Sequence, residues 1–456
     1  MMKNVLKTTG LAALMLGVAA ALPAFAQDVA AAATDTIAAA TAAAAPIMDK
    51  GDVSWMMTSS ALVLFMTIPG LGLFYGGLVR SKNMLSILMQ TTMIACMVMA
   101  MWITYGYSVT FGGGTSPYWG GFGKIFLKGV NAGSMSPTFS AGYVIPEYVF
   151  ICFQMTFAAI TPGLIIGAWA ERVKFKSVLL FMLLWTTFAY FPIAHMVWDA
   201  NGLLYKLGAI DFAGGTVVHI NAGIAAFVGC IVIGKRVGFG KENMAPHSMV
   251  MTMIGAAMLW FGWFGFNVGS NLEANGNAGL AMINTFVATA AAALAWSAVE
   301  SMQRGKASML GAASGIVAGL VAITPACGTI GPMGAMVLGI VVAIVCYLFV
   351  TTVKNALKYD DTLDVFGIHC IGGIVGAMGT GVLSAGWLGG VKDDTYSIAA
   401  QSVIQFEAVA LTLVWSGVVA FVCYKIADMV FGLRTETEVE REGLDQASHG
   451  EQAYHS

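Results

Sequence analysis

Apolar residues along this chain gather into blocks of about twenty, the length an α-helix needs to cross the hydrocarbon core of a bilayer. Eleven blocks can be read, near residues 55–78, 84–110, 143–168, 177–197, 215–234, 247–269, 277–299, 307–326, 331–352, 366–388 and 401–431. The eighth is short and contains Thr324-Pro325, which predicts a broken or tilted segment. The predicted fold class is therefore an all-α integral membrane protein with eleven transmembrane helices.

Composition agrees with that pattern. The 456 residues are 58% hydrophobic and 10% charged, whereas soluble domains carry about 25% charged residues. So few charges cannot clothe a water-soluble surface. The net charge of −2 and the lack of a basic stripe give no reason to expect a nucleic-acid partner. Six of the seven cysteines lie within apolar blocks at irregular spacing, and no CxxC pair occurs. Buried small hydrophobes are the expected reading, ahead of disulfides or metal ligands.

The ends of the chain differ from its middle. Lys3 and Lys7, the apolar run Leu11 to Leu22 and the small-x-small site Ala24-Phe25-Ala26 predict a signal peptide over residues 1–26, cleaved before Gln27. Residues 27–50 are Ala-rich and of low complexity, and are expected to form an extracytoplasmic tail. The membrane domain then covers 51–431, and 432–456 form a polar cytoplasmic tail.

Loop charges set the expected orientation. One set of alternate loops holds Arg80, Lys82, Arg172, Lys174, Lys176, Lys235, Arg236, Lys241, Arg304, Lys306, Lys354 and Lys358; the other holds Lys124, Lys128, Lys206 and Lys392. Twelve basic residues against four assign the first set to the cytoplasm. The C-terminus is then cytoplasmic and the mature N-terminus outside, in a bacterial inner membrane.

A repeat can also be seen. Ala159-Ile-Thr-Pro162 in the third block matches Ala322-Ile-Thr-Pro325 in the eighth. His219-Ile-Asn-Ala-Gly223-Ile in the fifth matches His369-Cys-Ile-Gly-Gly373-Ile in the tenth. Blocks three and eight are third in groups of five, and blocks five and ten are fifth. An odd number of spans per copy inverts the second copy, a transporter architecture with its pathway at the repeat interface. The spacings Gly72/Gly76, Gly163/Gly167 and Gly311/Gly315/Gly319 are read as close helix packing.

Candidate chemistry starts with His219 and His369. Intramembrane ionisable residues are costly and are functional candidates by default. The repeat would bring the two imidazoles together near the midplane, where burial favours the neutral ring and a shared hydrogen bond. Acidic residues lie at span ends (Glu147, Glu171, Asp211, Glu300 and Asp364), with Glu407 near the start of the eleventh block. The absence of a deep carboxylate relay points to a small solute that crosses in neutral form. Phe153 and Phe157 share a helical face, Trp198 ends the fourth block, and Trp260, Phe261, Trp263, Phe264 and Phe266 crowd the outer end of the sixth. Such aromatics form interfacial belts and packing, or offer π-faces to a small cation.

These residues resemble the ammonium transporter (Amt/Mep/Rh) family, nearer its bacterial Amt branch. The resemblance is carried by Asp211-Phe-Ala-Gly-Gly-Thr-Val-Val-His219-Ile-Asn-Ala-Gly223, by Asp364-Val-Phe-Gly-Ile-His369, and by Trp263-Phe-Gly-Phe266-Asn-Val-Gly-Ser270. Phe153-Gln-Met-Thr-Phe157-Ala-Ala-Ile-Thr-Pro162, Ala170-Glu-Arg-Val-Lys-Phe175 and Ile68-Pro-Gly-Leu-Gly-Leu-Phe-Tyr75-Gly-Gly-Leu-Val-Arg80 fit as well. The resemblance implies a five-plus-five inverted repeat with one extra helix, assembled as a homotrimer with one pore per subunit. It implies that Phe157, Trp198 and Ser270 recruit ammonium on the outside, that Phe157 and Phe266 are a stacked gate, and that His219 and His369 are twin pore histidines. Asp211 is implied as a supporting acid that favours cation in the vestibule without touching it. Ammonium would give up a proton and ammonia would pass; the residues do not fix whether the proton crosses separately, although the family favours it, nor the preference for methylammonium.

The tail residues Gly432-Leu-Arg434, Glu440-Arg-Glu-Gly443-Leu-Asp445 and Ser448-His-Gly450 resemble the family's regulatory tail, implying a PII-type signal protein as cytoplasmic partner. The alternative within the same fold is an ammonium sensor. Sensors of this kind carry an added cytoplasmic domain, and the roughly 25 residues after the last block argue against one here. A membrane enzyme with histidine-bound metal is a third class; His195, His219 and His369 without nearby carboxylates are too few ligands. No enzyme activity, cofactor or metal is expected.

Overall fold

The computed structural model describes residues 45–454. The signal-peptide segment and most of the Ala-rich segment fall outside the described residues. From Met48 onward the chain forms one compact unit.

Ten helices among the described residues are long and apolar enough to cross a membrane. They are α1 (Lys50–Leu78), α2 (Ser81–Phe111), α3 (Glu147–Trp169), α4 (Phe175–Leu207), α5 (Gly215–Ile233), α6 (Met249–Val268), α7 (Gly276–Arg304), α9 (Pro332–Leu357), α10 (Phe366–Leu383) and α11 (Ile398–Phe431). A shorter apolar helix, α8 (Met309–Ile323), stops just before Thr324-Pro325, where the sequence predicts a break. A small hairpin of β1 (Met135–Pro137) and β2 (Tyr143–Pro146) leads into α3. The chain is thus a multi-pass membrane protein.

Local chemistry explains how these helices start and stay satisfied in an apolar medium. Ser248, Asn275, Ser308 and Ser397 cap α6, α7, α8 and α11, each accepting a hydrogen bond from a first-turn amide. Inside the helices, hydroxyls that have no water donate back to carbonyls four residues earlier, as Thr67 does to Val63 and Thr289 to Thr285. The outer faces are apolar: Leu294 on α7 and Val414 on α11 are 73% and 66% exposed, positions that lipid would cover.

Helices α7, α8 and α9 pack together, α6 lies along the second half of α1, and α5 lies against α11. Gly315 and Gly319 face Ala292, Trp296 and Ala288 of α7, so that glycine row is a packing seam. Five cysteines are buried, but Cys96 and Cys152 are exposed, which corrects the expectation for those two: each points out from its helix. All seven thiols are free.

Helices α5 and α10 cross in close backbone contact. A Cβ on Gly223 would lie 2.5 Å from the Cys370 backbone nitrogen, and one on Gly373 would lie 2.9 Å from Ile220 and 3.0 Å from the Gly215 carbonyl. Each glycine sits four residues after a histidine of its own helix. The backbones can touch there only because both lack a side chain.

Gly223→Ala is therefore expected to wedge α5 from α10 against backbone atoms that cannot yield, at an overpacking cost of about 1–3 kcal/mol. A thermal-unfolding scan in detergent should show a lowered midpoint. An unchanged midpoint would contradict the close crossing.

Candidate functional site

The residues singled out in the sequence converge on one line through the middle of the helices. The Phe157 ring on α3 stacks on Phe266 of α6, with centroids 4.1 Å apart and planes at 20°. The Trp198 indole, which closes the Phe191–Trp198 stretch of α4, stands edge-on to Phe157 at 5.8 Å and 87°. Below Phe266 lies His219, whose ring is 6.1 Å away and stacks on Trp263 at 5.5 Å and 17°. His219 and His369 meet with their Nδ1 atoms 3.1 Å apart and their rings nearly parallel.

Helix geometry aims these side chains. Gly215–Ile220, Phe264–Val268 and Phe366–Cys370, which carry His219, Phe266 and His369, are each π-helical turns. The wider turn inserts an extra residue and redirects a side chain relative to an ordinary α-helix, and such turns recur at functional sites.

Ser270 lies one turn beyond Phe266 and donates to its carbonyl at 2.8 Å. Its link to the cluster runs through that residue, and its oxygen keeps free acceptor capacity. Asp211 lies before α5 and contacts neither histidine. Its carboxylate accepts from the amides of Gly214, Thr216 and Val217, each at 3.0 Å, so it caps the helix that carries His219. Burial pushes this carboxyl up to about 6, against the pull of the amides that hold its charged form. The Asp211 carbonyl accepts from the Trp198 indole at 3.0 Å, which ties the aromatic mouth to the capped helix.

Three contributors escaped the sequence reading. Asp361 accepts from the amides of Val365 and Phe366 at 3.1 and 2.8 Å, capping α10 as Asp211 caps α5. Burial raises this carboxyl as well. The available signal was spacing: Asp211 precedes His219 by eight residues and Asp361 precedes His369 by eight. Trp263 forms a wall at the histidines, where the sequence grouped it with aromatics at a helix end. Thr324, at the break after α8, accepts from the Trp263 indole at 2.9 Å and fixes that wall. Asp364 of the second histidine motif pairs instead with Lys354 at 2.6 Å.

Backbone pairings hold both capped helices in place. Phe212 and Ala213, before α5, donate to the Pro325 and Thr324 carbonyls beyond α8, both at 3.2 Å. Thr362 and Leu363, before α10, donate to the Ala168 and Gly167 carbonyls at the end of α3, at 2.9 and 3.1 Å. The segment after α8 and the 3-10 turn that ends α3 thus supply acceptors to the entry segments of α5 and α10.

Two cavities follow the line. The first, a constriction of only about 10 Å³, runs below Phe266 past Trp263, His219 and His369, and its lining is otherwise aliphatic or aromatic apart from the Tyr75 hydroxyl. That hydroxyl is engaged with the Leu164 carbonyl at 3.0 Å. The second, about 140 Å³, starts at His369 and opens past Ser314, Thr362 and Asp364. His219 Nε2 is buried without a partner, a polar atom aimed into an apolar space.

Comparison with known proteins places this architecture. The profile of the Ammonium Transporter Family matches residues 54–454. The chain is 44% identical to an ammonium transporter of Mycobacterium tuberculosis, over 90% of this chain and 92% of that protein. It is 45% identical to one of Aquifex aeolicus, over 89% and 94%. Among solved structures it resembles Mep2 of Saccharomyces cerevisiae, with TM-score 0.78 and 32% identity over 86% of this chain and 88% of that one. It also resembles a structure described as a sensor Amt protein, with TM-score 0.80 and 27% identity over 88% and 98%. On the extent of the profile match and the identity to these transporters, this chain belongs to the ammonium transporter family, whose members are transporters rather than enzymes.

Proposed function

We propose that this protein takes up ammonium by binding the cation at an outer aromatic site, removing a proton and conducting ammonia past His219 and His369. The observation that carries the reading is the 3.1 Å histidine pair set in an otherwise apolar passage beneath two stacked phenylalanines. A cation desolvated in such a passage would face a cost of several kcal/mol with no carboxylate to offset it. Ammonia meets no such charge penalty.

The pair suits a neutral solute. An Nδ1–Nδ1 hydrogen bond needs one ring to donate and the other to accept. The two Nε2 atoms then differ, one bare and one protonated, so they offer an acceptor and a donor in sequence. At the mouth, Phe157 and Trp198 supply π-faces and Ser270 an acceptor oxygen for the ammonium ion. Phe157 and Phe266 in van der Waals stacking leave no gap, so passage needs ring motion.

The reading extends to architecture. The matched motifs, the paired glycines and the two aspartate caps support a five-plus-five inverted repeat, with α8 as a crossing helix and α11 outside it. Exposed apolar faces are compatible with a homotrimer carrying one pore per subunit in a bacterial inner membrane. The loop charges support a cytoplasmic location for the face that bears Arg80, Glu171, Arg236 and the tail. That tail is ordered: Asp445 accepts from Leu85 and Ser86 at 3.0 and 2.7 Å, Glu440 accepts from Val237 at 2.6 Å, and Leu444 is buried. We infer that it serves as part of the docking surface for a PII-type signal protein. The likeness to a sensor Amt structure keeps ammonium sensing as the rival reading, and transport separates the two. Proteoliposomes given an ammonium jump should show flux or current above protein-free vesicles; no signal would sink the transport reading.

His219→Ala should leave assembly intact, strand the His369 Nδ1 without its partner, and change flux or selectivity about tenfold, equivalent to ~1.4 kcal/mol. Equal flux and selectivity in the variant would remove the histidines from the pathway. Exposed cation–π contacts are worth roughly 0.5–1 kcal/mol. Trp198→Leu should accordingly raise the half-saturating ammonium concentration about two- to fivefold; unchanged uptake at low ammonium would misplace the recruitment site. Truncation after Leu433 should abolish co-purification with a PII-type protein and alter flux, and retention of both would show the tail to be dispensable.

A further inference from the structure

One cluster of metal-ligating side chains lies well away from the pore, under the end of the tail. The Tyr454 hydroxyl is 3.0 Å from His247 Nε2, 3.4 Å from Met84 Sδ and 3.5 Å from Met251 Sδ. Met84 starts the regular part of α2, His247 immediately precedes the cap of α6, and Met251 lies in the first turn of α6. Two helix starts and the tail therefore bring an imidazole and two thioethers around one point.

The tautomer of the neutral imidazole is fixed. His247 Nδ1 is 2.8 Å from the Val79 carbonyl, which can only accept, so Nδ1 carries the hydrogen and Nε2 presents a bare lone pair. A histidine held in this way, by a carbonyl on its far nitrogen, is in the form that binds metal. All three groups facing the Tyr454 oxygen are then acceptors, while the hydroxyl has one hydrogen. That hydrogen serves His247 at the shorter distance. The two sulfurs, weak acceptors at best, are left against the oxygen's lone pairs.

We propose that Met84, Met251 and His247 form a site for a soft monovalent metal ion, Cu(I), with the Tyr454 hydroxyl as its removable stopper. Thioether sulfur selects Cu(I) over harder cations, and imidazole is a ligand to copper generally. The three ligands are neutral, which suits a single positive charge. First-row metals hold nitrogen and sulfur at about 2.0–2.3 Å, so each donor has to close by roughly 1 Å on the place of the oxygen. Methionine, with three rotatable bonds, can supply that movement. Met84 is buried and His247 and Met251 are half-buried, whereas Tyr454 is 43% exposed, so the group that must leave is the most accessible one.

The test uses the full chain in detergent with Cys96→Ser and Cys152→Ser, which removes the two exposed thiols that also bind copper. Anaerobic Cu(I) is titrated against a chromogenic chelator. One equivalent should bind, with an X-ray absorption spectrum showing thioether sulfur and one imidazole nitrogen. Met84→Leu/Met251→Leu, a volume-conserving pair that keeps the packing, should lose that equivalent or weaken it at least tenfold. Tyr454→Phe should bind several-fold more tightly, because the competing hydroxyl is gone. Equal Cu(I) binding with and without the two methionines, or a spectrum lacking the nitrogen shell, would overturn the site. A Tyr454→Phe protein that bound no more tightly would overturn the stopper.

Discussion

Helices α5 and α10 bring their histidines into contact because each offers the other a bare backbone one turn further on. Gly223 faces the Cys370 nitrogen and Gly373 faces the Gly215 carbonyl, at separations that no side chain could occupy. The rest of the site follows from that crossing. With the backbones touching, the two Nδ1 atoms fall within hydrogen-bond reach, and Trp263 can cover the outer face of His219. A crossing wider by one methyl group would part the rings, and each imidazole would lose the partner that aligns it.

Such a crossing needs helices that start abruptly in an apolar setting, where unsatisfied amides are costly. Asp211 and Asp361 meet that need by giving their carboxylates to the first amides of α5 and α10. The segments that carry them are pinned in turn to the break after α8 and the 3-10 end of α3. The Thr324-Pro325 pair after α8 therefore acts through the backbone. At Thr324 the side chain contributes as well, by holding the Trp263 indole.

The face that bears the tail is organised by charge. Glu171 takes Arg80 at 2.8 Å and Arg236 at 3.3 Å, and Arg236 also pairs with Asp360 at 2.8 Å. Burial works to raise the Glu171 carboxyl, and the Arg236 and Arg80 guanidinium groups outweigh it, holding it below the usual glutamate range. Arg172, fully buried, donates to the carbonyls of Gly234, Ala168, Ala170 and Asp360 and to the Thr362 hydroxyl. The residue after Asp360 is the cap of α10, so this lattice joins the loops, the entry to α10 and, through Glu440 beside Arg236, the docked tail.

Much of this could be read from the sequence, because a bilayer imposes one dominant constraint on each span. Length and apolarity located every helix and most of its ends, and the break at Thr324-Pro325 was legible as a proline that removes a backbone donor. The histidines stood out because imidazoles inside apolar blocks are rare and these two lay in matching words. The sequence could not show that Trp263 belongs to the histidines, that Asp361 caps while Asp364 pairs with Lys354, or that Cys96 and Cys152 face outward. A helix that is apolar all round does not declare which side meets protein and which meets lipid, and a carboxylate's role depends on which amide or ammonium group the fold brings within 3 Å. Spans and candidate chemistry were local properties of the chain; partners, rotations about helix axes and the route through the centre were decided only when distant segments packed.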